Sequence, residues 1–329
     1  MKQKLVIGLS TALLILAIFL IARDLFRNSP ASSASSCCND DVAQLKQIDT
    51  ALLAYKKIKE WDTGLKGLTG ITVADNRILL CGDRLVAVFD TAGNRIGDLQ
   101  IDSLATCILT CNNTIYVGFK SGAVNLDFNG KPVSVYSTSD QRSYITSIAA
   151  DEDYVFLADA GRKRILKYTA DGSFILEIGK KDGPDEEGFI VPSPYFDIAC
   201  GGFNDVWAVN PGKLRLQNYT TDGKLRSVWG EDLSEESRFT GCCNPSHFTL
   251  LPDGRFVTYE KGTDKIKVFD QAGQFQAMVA GAGSFKGKPD FLLGNNNLVK
   301  DIATDQTGRI YILDAYNRIN VFKKASDRK

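Results

Sequence analysis

DIATDQTGRIYILDAYNRINVF, residues 301–322, contains a compact antiparallel meander. A short apolar segment leads into a turn at Thr307–Gly308, and the run Ile310–Leu313 follows that turn. A polar turn at Asp314–Arg318 then precedes a last segment, Ile319–Phe322. Short segments rich in β-branched and aromatic residues, separated by polar or glycine turns, predict strands that pair as neighbours.

The same unit recurs through the chain. Five tetrapeptides place a glycine after a strand-like run, and glycine accepts the positive φ that closes such a hairpin turn: DTAG (90–93), DFNG (127–130), TADG (169–172), TTDG (220–223) and DQAG (270–273). Another polar turn precedes each glycine by 17 to 19 residues. Two turns at nearly constant separation indicate one repeated unit of four strands. In the third copy we expect strands at residues 146–150, 154–159, 164–168 and 173–179.

The last copy is incomplete, because the chain ends where its fourth strand would begin. An unassigned strand, YKKIKEW (Tyr55–Trp61), precedes the first complete copy. If this strand completes the last copy, the repeats close into a ring of six blades without open sheet edges. The predicted fold is therefore all-β, a six-bladed β-propeller over residues 55–324, followed by a tail at 325–329.

Composition supports this class and excludes others. The chain of 329 residues is 44% hydrophobic and 24% charged, which is ordinary for a globular protein with a large core. Lysine plus arginine equals aspartate plus glutamate, so no global field attracts nucleic acid, and no nucleic-acid partner is expected.

The amino terminus predicts a membrane anchor. Residues 1–4 form a short basic tail, and 5–22 form an uncharged apolar run whose helical length of about 27 Å matches the hydrocarbon core. Residues 23–54 form a Ser/Pro-rich tether with a short amphipathic helix at 41–53. The expected protein is a single-pass membrane protein with its propeller in the periplasm or outside the cell. The alternative is a signal peptide cleaved within 31–36.

Eight cysteines agree with an oxidising compartment and predict disulfides of unassigned connectivity. Two pairs are adjacent in sequence, Cys37–Cys38 and Cys242–Cys243. Adjacent cysteines either close a strained vicinal disulfide or bond elsewhere. Cys242 and Cys243, together with Asn244, are loop-face candidates and suggest a redox role as an alternative to a structural bridge.

Two copies resemble NHL repeats closely: SIAADEDYVFLADAGRKRILKYTADGSF (147–174) and the stretch 301–322. The remaining copies resemble the family less well. The resemblance implies a six-bladed NHL propeller of the membrane-anchored bacterial type. It says little about function, because that family includes binding scaffolds as well as enzymes.

The innermost strands place one residue each at the mouth of the central channel. In blades two to six these are Thr106, Ser147, Asp197, His247 and Asp301, and in blade one the position is Gly70. His247 is the single histidine of the chain. Carboxylates beside an imidazole suit a divalent metal or acid–base chemistry. The alternative is a polar lining of a water-filled channel.

Long connections between blades at 180–192, 231–245 and 281–297 decorate the face on which the second and third strands of each blade are also joined, and we call it the loop face. The turns on this face carry further candidates, Asp159, Asn210, Glu260 and Asp314, which either bind a ligand or cap their own turns.

Three functions follow from these patterns. The first is a scaffold that binds a protein or glycan partner on the loop face near residues 239–248. The second is a metal-dependent hydrolase or lyase that uses Asp197, His247 and Asp301. The third, weaker hypothesis is an accessory of a membrane redox complex that acts through Cys242 and Cys243.

Overall fold

A computed structural model of the protein describes residues 46–179, 188–230, 237–241, 243–285 and 297–325. These residues form six antiparallel sheets of four strands each, which confirms the predicted all-β, six-bladed propeller. In five sheets the four strands follow one another in sequence from the channel outwards, as the repeated turns predict, and the sixth differs only in its outermost strand.

The chain enters the ring with β1 (Tyr55–Asp62) and then builds three blades. Their strands are β2 (Leu68–Ala74), β3 (Arg77–Gly82), β4 (Leu85–Asp90), β5 (Arg95–Gln100), β6 (Cys107–Cys111), β7 (Thr114–Phe119), β8 (Gly122–Leu126), β9 (Pro132–Ser137), β10 (Ile145–Ala150), β11 (Tyr154–Asp159), β12 (Arg164–Thr169) and β13 (Phe174–Ile178).

Three more blades complete the ring. Their strands are β14 (Ile198–Cys200), β15 (Asp205–Asn210), β16 (Arg215–Thr220), β17 (Leu225–Trp229), β18 (His247–Leu250), β19 (Phe256–Glu260), β20 (Lys265–Phe269), β21 (Phe275–Ala280), β22 (Val299–Thr304), β23 (Ile310–Asp314) and β24 (Arg318–Lys324). Short 3₁₀ helices lie at Thr50–Leu52, Pro211–Lys213 and Ala282–Ser284.

Strand β1 closes the ring. It pairs antiparallel with β24, from Tyr55 opposite Lys324 to Trp61 opposite Ile319. The sixth sheet therefore has the order β1-β24-β23-β22 and takes its outermost strand from the other end of the chain. The Lys57 ammonium group donates to the side-chain oxygen of Asn320 at 2.7 Å, which adds a side-chain hydrogen bond between the two paired strands.

The glycine turns form the expected hairpins. In all five tetrapeptides the glycine has a φ between 79° and 95°, which a residue with a Cβ atom rarely adopts. In the first of them, the Gly93 N–H donates to the carbonyl oxygen of Asp90 at 3.0 Å. These glycines therefore mark the positions of the outer hairpins in five of the blades.

The core lies between neighbouring blades. Trp229 on β17 packs its ring against Phe256 and Phe269 of the next blade, with both pairs of ring centroids 5.2 Å apart. Phe239, which precedes that blade, lies 5.8 Å from the same indole. Burying large aromatic rings across a blade boundary supplies much of the apolar stabilisation and holds adjacent sheets in register.

The amino-terminal segment before β1 lies along the fifth blade. Its described helical part is the single turn Thr50–Leu52, shorter than the helix predicted at 41–53, of which 41–45 lie outside the described residues. Leu53 forms a parallel bridge with Met278 of β21, and the Ala54 N–H donates to the Met278 carbonyl at 3.1 Å. This extended pairing competes with helix formation and covers the outer edge of β21.

Among the residues that the structure describes, no helix is long and apolar enough to span a membrane. The predicted anchor at 5–22 lies outside those residues, as do the predicted tail at 1–4 and most of the tether.

We expect a chain that begins at Thr63 to be far less stable than one that begins at Tyr55, because only the first lacks β1 and leaves β24 as an open edge. The loss should be at least about 4 kcal/mol, which lowers the melting temperature by about 10 °C or more. Thermal unfolding followed by circular dichroism checks this. Equal melting temperatures would contradict the role of β1 in closure.

Candidate functional site

Five of the six predicted mouth residues line one cavity of about 310 Å³ in the central channel: Thr106, Ser147, Asp197, His247 and Asp301. Each lies immediately before the innermost strand of its blade or within the first three residues of that strand. Because these strands converge on the channel axis, side chains far apart in sequence meet there. Gly70, at the corresponding place in blade one, has no side chain to contribute.

Asp197 binds groups on three blades. One carboxylate oxygen accepts from the Ser147 hydroxyl at 2.5 Å and from the Ile198 N–H at 3.0 Å. The other accepts from the Phe248 N–H at 2.9 Å. Since an unpaired N–H of a buried strand is costly, this carboxylate joins blades three, four and five through hydrogen bonds that the innermost strands need.

Asp301 forms equivalent hydrogen bonds between the last blade and the first blade, where the ring closes. Its carboxylate accepts from the N–H of Ile302 in its own blade and from the N–H of Ile71 in blade one, both at 2.8 Å. The first and last blades are thus joined at the channel by Asp301 and at the rim by β1.

His247 lies between the two carboxylates. Its Nδ1 atom is 3.7 Å from one oxygen of Asp197 and 3.9 Å from one oxygen of Asp301. The imidazole packs edge-on against the Tyr195 ring, with centroids 6.0 Å apart, and nearly parallel to Tyr259 at 6.4 Å. These contacts hold Nδ1 towards both carboxylates.

The pKa values of His247 and Asp301 are shifted by burial and by the neighbouring charges. Burial opposes the charged imidazole, but the interaction with Asp197 and the nearby Asp301 carboxylate raise the pKa of His247 above its ordinary value of 6.5. Burial raises the pKa of Asp301 to about 7, with the His247 charge acting against it and the Asp197 charge adding to it. Asp301 therefore titrates near neutral pH, and His247 keeps its proton to a higher pH than an isolated imidazole does.

The candidates in the turns of the loop face lie elsewhere. Asp159, Asn210, Glu260 and Asp314 are fully buried, and none of them lines the channel cavity. Asp159 accepts from the Ser143 hydroxyl at 2.7 Å and from the Tyr144 N–H at 3.0 Å. These side chains anchor either the connection that enters the blade or their own turn, as the capping alternative predicts.

Glu260 is an example of a buried turn residue that forms polar contacts with a neighbouring connection. One carboxylate oxygen accepts from the N–H and the hydroxyl of Thr240, both at 3.1 Å. The other lies 2.6 Å from the ammonium group of Lys267, which is almost completely buried. A buried carboxylate paired with a buried ammonium fixes the segment before β18, because removing either partner leaves an uncompensated charge.

Asn244 belongs to the same anchored segment. Its amide nitrogen donates to the carbonyl oxygens of Thr240 and Lys261, and its side-chain oxygen accepts from the Lys261 N–H at 2.9 Å. Asn244 is fully buried, and the peptide bond that joins it to Pro245 is cis. The residue positions the loop, and its polar groups face the protein interior.

The cysteines do not support the expected disulfides among the described residues. Cys81, Cys107, Cys111 and Cys200 are free thiols. Burial raises the pKa of Cys81 to about 12, so this thiol is unreactive at neutral pH. Cys243 is buried with a φ of 64°. Cys37, Cys38 and Cys242 lie outside the described residues, so neither adjacent pair is described as a pair.

Sequence reasoning missed three residues around the mouth. Tyr195 lies beside His247, and the Asn297 side-chain amide donates to the Tyr195 hydroxyl. The ammonium group of Lys261 lies 4.4 Å from the centre of the Tyr195 ring. All three stand in connections between strands, and their sequence spacing gives no sign that they meet.

In the part of the chain that the structure describes, no group of three His, Cys, Asp or Glu side chains is arranged to hold a metal ion. At the mouth, every carboxylate oxygen of Asp197 and Asp301 already accepts a hydrogen bond from the protein. These oxygens therefore form hydrogen bonds within the protein, and the metal site at Asp197, His247 and Asp301 stays a prediction.

The fold should lose stability as pH rises from about 4 to above 7. Folding raises the pKa of Asp301 from its ordinary value of 3.8 to about 7. The folded chain therefore binds more protons than the unfolded chain between these two pH values, and its stability falls as pH rises. The raised pKa of His247 acts in the same direction, because its contribution is present below 6.5 and is lost as pH rises through the folded value. Asp301→Asn should flatten the profile of melting temperature against pH.

The control is Asp98→Asn, which removes an exposed carboxylate paired only with Arg95 and should leave the slope unchanged. Because His247 is the single imidazole, its titration can be followed directly by NMR. Its pKa should fall in Asp301→Asn, where a neighbouring negative charge is gone. An unchanged imidazole titration would contradict the coupling.

No protein-family model matches the chain, and no curated protein sequence matches it. The NHL resemblance therefore stays a prediction. Among solved structures, a streptogramin B lyase has a TM-score of 0.59 at 14% identity and covers 84% of this chain and 100% of its own. A catalytically inactive histidine-to-alanine variant of virginiamycin B lyase from Staphylococcus aureus, with quinupristin, has a TM-score of 0.53 at 13% identity over 82% and 99%.

The WD40 propeller domain of Doa1 has a TM-score of 0.55 at 10% identity and covers 79% of each chain. These structures have distant sequences but share the propeller architecture. Their names describe different kinds of protein, lyases and a WD40 domain. The likeness to these structures shows that this chain folds as a β-propeller.

Proposed function

We propose that this chain is a membrane-anchored, extracytoplasmic propeller that acts as a scaffold and binds a protein or other ligand on the loop face. The observation that carries the proposal is that the charged groups at the channel mouth are held by hydrogen bonds within the protein. The carboxylates of Asp197 and Asp301 each accept from a backbone N–H of a neighbouring blade, and such bonds between blades suit a rigid scaffold. The anchor rests on the apolar run 5–22 alone.

The loop face offers groups suited to such binding. Tyr144 and Tyr316 are 38% and 44% exposed, and they stand on the connections around blades three and six. Exposed tyrosines on rigid turns supply contact area at low conformational cost. The Lys261 ammonium group near Tyr195 adds a cation beside the mouth. A protein partner that presents apolar and acidic groups fits this face.

Photo-crosslinking in intact cells tests the scaffold. p-Benzoylphenylalanine at Tyr144 or Tyr316 should give adducts with one and the same partner, identified by mass spectrometry. The matched control replaces Phe203, an aromatic residue 71% exposed in the β14–β15 turn on the opposite face. The control should not capture that partner. Identical adducts from all three positions, or none from the loop face, would overturn the proposal.

A second candidate is a hydrolase or lyase with its site at the same mouth. His247 between two carboxylates, one with a pKa near 7, is suited to hold and transfer a proton. A metal-dependent form, with Asp197, His247 and Asp301 as ligands, would show a stoichiometric metal that is lost in Asp301→Asn. The redox hypothesis gains no support of its own, because Cys242 lies outside the described residues.

Since quinupristin accompanies one of the structurally similar lyases, it is the first compound to test for the second candidate. If this chain is such an enzyme, incubation should consume quinupristin, measured by chromatography, and His247→Ala should abolish the loss while the melting temperature stays near that of the parent chain. Persistent consumption in His247→Ala would place any activity elsewhere. Intact quinupristin with the parent chain would remove this substrate from consideration.

A further inference from the structure

The face opposite the loop face holds a larger cavity than the channel. A groove of about 700 Å³ runs between the inner hairpins of blades six, one and two and reaches the outer turns of the last two. Its size falls within the range of small-molecule sites in proteins. None of the mouth candidates lines it.

Four side-chain amides of this groove form no hydrogen bond within the described chain, in contrast to the buried turn residues of the loop face. Asn76, Asn112, Asn113 and Gln306 line the groove and are exposed. Their side-chain amides make no hydrogen bond to another part of the described chain. Each amide both donates and accepts, so together they offer paired hydrogen-bonding groups around one concave surface.

An aromatic ring forms one wall. Phe128, in the β8–β9 turn, is partly buried and lines the groove. The guanidinium of Arg77 lies over this ring, 5.3 Å from its centre, and so covers one of its two faces. An aromatic ring beside amide groups can stack against an apolar face of a ligand while the amides bind its polar edge.

The charges of the groove disfavour anionic ligands. Of the two carboxylates that line the groove, Asp305 is engaged by the Arg309 side chain at 2.8 Å and by backbone N–H groups of its own turn. Asp75 remains, and no lysine or arginine is among the described residues that line the groove, so an anion is disfavoured.

We propose that this groove is a binding site for a neutral carbohydrate, on the face opposite the loop face. A sugar ring presents hydroxyl groups that both donate and accept, and it also presents an apolar C–H face. The amides of Asn76, Asn112 and Asn113 match the first property, and the Phe128 ring matches the second. The site differs from the proposed scaffold surface on the loop face, since none of the mouth candidates lines it, although Gln306 also lines the channel cavity.

Isothermal titration calorimetry of the full chain with cellotriose, maltotriose and triacetylchitotriose tests the proposal. At least one of these should bind. Phe128→Leu keeps an apolar side chain but removes the stacking surface, and it should weaken binding about tenfold. Asn112→Asp and Asn113→Asp keep the shape and tolerate the positive φ at these positions, but they lose amide donors and should weaken binding about as much.

The matched control is Phe203→Leu, on the same face but outside the groove, which should bind as the parent chain does. Unchanged melting temperatures of the two Asp variants exclude unfolding as the cause of weaker binding. No binding of any trisaccharide at millimolar concentration would overturn the proposal. So would binding that survives all groove variants, or that weakens equally in Phe203→Leu.

Discussion

The architecture depends on one ladder of hydrogen bonds, the antiparallel pairing of β1 with β24. Without it, β24 would expose a row of unpaired backbone groups, and the last blade would be a three-stranded sheet. The pairing brings the two ends of the ring together and sets the distance between blades six and one. Only then can the Asp301 carboxylate reach the N–H of Ile71, so closure at the rim and closure at the channel support each other.

The channel mouth follows from the same constraint. Six innermost strands converge, and in two of them the N–H groups of Ile71 and Phe248 donate to carboxylates of neighbouring blades. Asp197 and Asp301 supply acceptors, and the Ser147 hydroxyl binds Asp197. A cluster with two carboxylates and one imidazole is stable in this position because its charges are compensated by hydrogen bonds from the backbone. The titration of Asp301 near neutral pH is a consequence of that burial.

The two ends of the channel differ in how their polar groups are used. On the loop face, conspicuous side chains such as Asp159, Glu260 and Asn244 are turned inward and fix the connections. On the opposite face, the amides of the inner hairpins line the groove and are exposed. Residues that are prominent in the sequence therefore hold the scaffold, whereas less prominent asparagines and a turn phenylalanine line the larger cavity.

The sequence by itself determined the number of blades, the position of the hairpins and the residues at the mouth. Turn glycines and alternating apolar positions are local signals, and in the third copy the predicted strand 154–159 is the observed β11. Which side chains bind one another could not be read from spacing. Tyr195, Lys261 and Asn297 meet beside His247 because separate connections fold over one channel. Whether a buried carboxylate caps a turn or faces a cavity depends on the path of the neighbouring chain, and only the tertiary structure decides it.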